Sequence, residues 1–77
     1  SLLPVGITSC EGDFMADDVV SIYDENNIEI ARGISNYDSS DVKKIMGIRS
    51  DKIEQILGQK ISDDIISKDN LVLLWAY

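Results

Sequence analysis

The chain has 77 residues, of which fourteen are acidic and seven basic, so its formal net charge is −7, and it contains no histidine. Its composition, 44% apolar and 27% charged, is typical of one small globular domain and excludes a disordered chain. The acidic balance opposes binding to phosphate backbones, and the lack of imidazole removes the commonest general base and metal ligand.

The first half of the chain has the alternating pattern of β-strands. We predict a strand over residues 6–11, a surface connection over 13–18 and a second strand over 19–23. Residues 24–27 (DENN) indicate a hairpin turn, because asparagine tolerates the positive φ of tight turns, and residues 28–35 form the returning strand.

Arg32 shares its parity with three isoleucines of the returning strand, which would direct a guanidinium into the core. Two interpretations are open. Either Gly33 marks a β-bulge that shifts the register, or the arginine is buried and paired.

The second half begins with a helical period. Ser39 or Ser40 is predicted to cap a helix that ends at Gly47, and Ser50 a second helix that ends at Gly58. The two form a helical hairpin. Two closing strands then follow, at residues 65–66 and 71–74, joined by a turn at 67–70.

Candidate chemical sites are few. The acidic pairs lack the spacing of a calcium loop, no two glycines are placed as in a phosphate-binding loop, and Cys10 has no base nearby in sequence. We therefore predict no catalytic, cofactor-binding or metal-binding residue. Trp75 and Tyr77 either stack a base or pack on the domain or on a neighbouring chain.

Four blocks of sequence identify the family that the chain resembles. They are SLLPVGI at residues 1–7, GDF at 12–14, IARGISNY at 30–37 and KDNLVLL at 68–74. In order and nearly without gaps, they resemble the C-terminal PUA domain of bacterial glutamate 5-kinases. The resemblance implies a mainly β fold, a distorted β-barrel with a short helical hairpin, and places the chemistry in an upstream amino-acid-kinase domain.

The parent reaction implied by the resemblance converts ATP and L-glutamate to L-glutamyl 5-phosphate in proline biosynthesis, with ATP and magnesium bound outside this segment. The segment itself is expected to be non-catalytic, structural or regulatory, and cytoplasmic, since no apolar run approaches the length of a membrane span. The alternative is an RNA-binding PUA module of an RNA-modifying enzyme, which the net charge disfavours.

Candidate contacts with RNA or with the kinase domain are the loop of the first block and the cations of the helical hairpin: Pro4, Gly6, Lys43, Lys44, Arg49 and Lys52. The other interpretation of these cations is a solvent-exposed face that pairs with neighbouring acids.

Two departures from the family pattern stand out. Asp17 occupies the position of a family glycine, which predicts an altered turn. The family's domain also begins before the SLLP block, so we expect residues 1–77 to be a single, N-terminally truncated PUA domain that lacks the family's first strand and helix. The exposed edge and apolar surface should then favour self-association through Leu2, Leu3 or residues 73–77.

Overall fold

A computed structural model of the chain describes residues 1–74, and the aromatic residues Trp75 and Tyr77 lie outside the described part. Three antiparallel strands form one sheet in the order β1 (Val19–Tyr23), β2 (Glu29–Ile34) and β3 (Leu71–Leu73). Strands were predicted at all three places, so these predictions are confirmed. Within the described residues the sheet stays open, with β1 and β3 as its edges, and is not closed into a barrel.

The hairpin between β1 and β2 forms at the predicted turn. Asn27 has a φ of 62°, and the carboxylate of Asp24 accepts hydrogen bonds from the backbone N–H groups of Asn26 (2.9 Å) and Ile28 (3.0 Å). An asparagine in the left-handed region and an aspartate that closes the turn are the features expected of these residue types.

A β-bulge is present, but not at Gly33. Ile22 pairs with Ala31 whereas Tyr23 pairs with Glu29, so the extra residue is Ile30. The shift turns Ala31 inwards and leaves Arg32 exposed, where its guanidinium bonds Glu29 at 2.8 Å. Both interpretations of this strand were therefore wrong, because the register changes before the arginine.

Gly33 has a different role, which is close packing. A Cβ atom on this residue would lie 2.6 Å from Cγ2 of Ile66 and 2.7 Å from the carbonyl oxygen of Asn70. The glycine therefore allows the chain around Ile66 to lie directly on β2.

Helix α1 covers Ser39–Ile45. Its N-cap is Asp38, whose side chain accepts a hydrogen bond from the backbone N–H of Asp41, so the predicted serine cap was wrong by one residue. Ser39 is instead buried, and its hydroxyl accepts a hydrogen bond from the backbone N–H of Phe14. The predicted stop at Gly47 is confirmed by its φ of 75°.

Helix α2 covers Ile53–Leu57 and is preceded by a 3₁₀ turn at Ser50–Lys52. Ser50 does not cap it, because its hydroxyl donates to the carbonyl oxygen of Asp63. Gly58 ends the helix with a φ of 80°, as predicted, and the helical hairpin is confirmed.

The predicted strand at residues 6–11 was wrong. A 3₁₀ turn at Pro4–Gly6 is followed by irregular chain. The predicted strand at residues 65–66 is reduced to one antiparallel bridge between Leu2 and Ile66, and the following turn is a 3₁₀ helix at Lys68–Asn70. These short segments supply apolar side chains to the core without extended pairing.

The core lies between the helical hairpin and the inner face of the sheet. Its buried cluster consists of Tyr37, Val42, Ile45, Ile53, Ile65 and Ile66. The arrangement is that of a small, mainly β domain with a helical hairpin, as predicted, although the barrel is open. None of the helices in residues 1–74 is long and apolar enough to cross a membrane.

Candidate interaction surface

A large open groove lies on the inner side of the sheet, with a volume of about 950 Å³. Its apolar lining comes from the N-terminal chain, β1, β2, α1 and the segment at residues 65–66: Leu2, Ile7, Cys10, Phe14, Val20, Ile22, Ile30, Val42, Ile65 and Ile66. Interiors of folded proteins rarely contain voids larger than a water molecule. The groove is therefore an uncovered part of the core surface.

The groove follows the free edge of β1. Val20, Ser21, Ile22 and Tyr23 all line it, although successive residues of a strand point to opposite faces. Four consecutive lining residues indicate that the groove reaches beyond the inner face of the strand to its edge. Among residues 1–74, no strand pairs with β1 at this edge, because the sheet order places β2 on its other side.

The rim of the groove is acidic. Glu11, Asp24 and Glu25 are acidic residues that line it, and none of the described lining residues is a lysine or arginine. Charge is also distributed unevenly along the sequence. Residues 1–38 contain eight acidic residues and one basic residue, which accounts for the net charge of −7. Residues 39–77 contain six acidic and six basic residues, whose charges cancel. Most of the residues that line the groove come from the acidic half of the sequence, residues 1–38.

Cys10 is half-buried in this groove. Burial raises the pKa of its thiol, and the nearby Lys43 ammonium acts in the opposite direction. A raised pKa keeps the thiol protonated at neutral pH, which agrees with its predicted role as a small apolar residue.

Among the predicted contact residues, Pro4 and Gly6 lie in one 3₁₀ turn but differ in exposure. Pro4 is buried, and its carbonyl oxygen accepts hydrogen bonds from the backbone N–H groups of Ile7 (3.0 Å) and Gly47 (2.8 Å). Gly6 is exposed and lines the groove. The structure thus joins the SLLP block to the end of α1, with Pro4 as a packing residue.

The four predicted cations, Lys43, Lys44, Arg49 and Lys52, are all exposed. Lys43 and Lys44 lie in α1. Arg49 directly precedes the 3₁₀ turn that leads into α2, and Lys52 is the last residue of that turn. Among the described residues, the one salt bridge that includes any of them joins Arg49 to Asp51 at 3.4 Å.

The most densely bonded segment, residues 35–39, was missed by the sequence analysis. Tyr37 is 1% exposed; its hydroxyl accepts hydrogen bonds from the backbone N–H groups of Ile61 (3.1 Å) and Ser62 (3.0 Å) and donates to the carbonyl oxygen of Ser62 (2.5 Å). The side-chain amide of Asn36 donates to the carbonyl oxygen of Asp64 (3.0 Å). These bonds fix the chain after α2, and the signal available in the sequence was the short polar run SNYDS.

Metal binding finds no support in the described residues: in residues 1–74, no group of three or more histidine, cysteine or acidic side chains is placed to hold an ion. The acidic pairs are dispersed in turns. Asp18 and Asp24, for example, each accept hydrogen bonds from nearby backbone N–H groups.

Comparison with known proteins agrees with this geometry. The family model of the PUA domain matches residues 1–57. The chain is 46% identical over 74 residues to glutamate 5-kinase of Syntrophus aciditrophicus, and 52% identical over 73 residues to that of Synechococcus elongatus. These alignments cover 96% and 95% of the chain, but only 19% and 20% of the two kinases.

The chain thus spans about a fifth of the length of the relatives that it matches, and the matching region is their C-terminal part. The described part of the chain consists of an open antiparallel sheet and a helical hairpin, with an apolar groove along the sheet. The chain belongs to the PUA domain family, in the form found at the C-terminal end of glutamate 5-kinases.

Proposed function

We propose that the chain is a non-catalytic module of a glutamate 5-kinase and that it works by packing against other parts of that polypeptide. The proposal is supported by sequence identity: about half of the chain's residues are identical to those of these kinases over nearly the whole chain. The aligned region is only about a fifth of the length of each kinase. The parent reaction would transfer a phosphoryl group from ATP to the side-chain carboxylate of L-glutamate. ATP and magnesium would bind in an upstream amino-acid-kinase domain, in the cytoplasm.

The domain boundary is part of this proposal. We take residues 1–77 as one PUA domain whose first strand and helix are supplied by other residues. Support comes from the groove, whose ten apolar lining residues include seven that are partly exposed, and from the free edge of the sheet beside it.

The interdomain contact is proposed to include Gly6 and the exposed cations Lys43, Lys44, Arg49 and Lys52, with Pro4 holding the loop in place. Exposed basic side chains on a structured hairpin are suited to a partner surface that carries acidic groups. Such a contact would give the chain a structural or regulatory role, in which none of these residues takes part in catalysis.

A kinase assay tests this function directly. The isolated chain, supplied with ATP, magnesium and L-glutamate, is expected to show no turnover above a buffer blank, since phosphoryl transfer requires groups that cradle the phosphates and the metal. Turnover that disappears when a residue of this chain is substituted would contradict the proposal.

RNA binding is the second candidate, and the exposed cations of the helical hairpin are the observation in its favour. The excess of seven negative charges opposes it, because phosphate contacts supply most of the non-specific affinity. Titration with tRNA at about 150 mM salt should therefore show little binding. Submicromolar binding that weakens steeply with salt would favour RNA over the packing role.

A further inference from the structure

We draw no further inference here: the strongest candidate, the outer face of the sheet, where Val19, Ile34 and Val72 are exposed around Arg32, carries none, because Arg32 already bonds Glu29 and nothing in residues 1–74 shows what would cover this face.

Discussion

At the scale of single residues, two positions have backbone requirements that determine which side chain they accept. At Gly33 the requirement is space, since a Cβ atom would overlap Ile66 and the backbone of Asn70. At Asp17 it is conformation, because the residue has a φ of 75° in the turn before β1, where its N–H donates to the carbonyl oxygen of Ser35 at 2.7 Å.

Gly33→Ala should destabilise the domain by about 1–3 kcal/mol, because the methyl group must displace backbone as well as a side chain. Gly6→Ala is the matched control, since a Cβ atom there meets nothing within 4 Å, and should change stability by less than about 0.5 kcal/mol. Urea denaturation measures both. Equal stability of the two variants would show that Ile66 and Asn70 move aside without cost.

Asp17→Gly should stabilise the domain slightly, and Asp17→Ala should be less stable than the glycine variant by about 1 kcal/mol, because alanine tolerates positive φ poorly. Asp13→Gly serves as a control, as Asp13 does not have positive φ. A glycine variant at position 17 no more stable than the alanine variant would show that the turn is relaxed in solution.

The altered turn predicted at Asp17 stays a prediction, since the residue has a φ of 75°, which is the left-handed conformation that a glycine accommodates. The sequence did not predict the role of Gly33. A glycine in a strand favours a bulge on general grounds, whereas here the bulge is at Ile30 and the glycine accommodates a segment more than thirty residues later in the chain. Close approach between distant segments leaves no local pattern.

At the scale of elements, local patterns predicted β1, β2, β3 and both helices, because alternation and helical spacing follow from which face of each element is buried. Residues 6–11 also alternate loosely, yet they are irregular. Ile7 and Cys10 pack against the core from coil, so burial alone produced the pattern. The groove was not predictable either, since it depends on how five separate segments meet.

Tyr37 is the side chain that holds the segment after α2. Tyr37→Phe should cost about 1–3 kcal/mol, because two backbone N–H groups lose their acceptor in a partly buried site. Hydrogen exchange of Ile61 and Ser62 should accelerate more than exchange of β2. Tyr23→Phe is the control, since Tyr23 is 56% exposed, and should be nearly neutral. Uniform acceleration throughout the domain would contradict the local role.

At the scale of the whole molecule, the open sheet leaves two edges of different character. The β1 edge is flanked by acids, whereas β3 presents Val72 (63% exposed) and Leu73 (53% exposed). Lys68 and Asp69, which precede β3, carry opposite charges, so this edge has no excess of one sign, and an exposed apolar edge of this kind favours pairing with another chain. Self-association is therefore expected through β3, separately from the groove.

Sedimentation of the 77-residue chain at tens of micromolar should show a dimer or larger assembly, with Leu73→Asp restoring a monomer. Ile61→Asp, on an exposed side chain away from the sheet edges, is the control and should leave the assembly unchanged. A folded monomer over the whole concentration range would show that neither edge needs a partner.

We propose that this chain acts as the C-terminal packing module of a glutamate 5-kinase. The most direct test is to exchange the matching region of the Syntrophus aciditrophicus kinase for this chain and to measure glutamate-dependent consumption of ATP. We expect an active chimera, an inert isolated chain, and loss of activity or assembly when Ile22→Lys introduces a charge into the groove of the chimera. Turnover by the isolated chain, or a chimera that folds and assembles but has no activity, would contradict it.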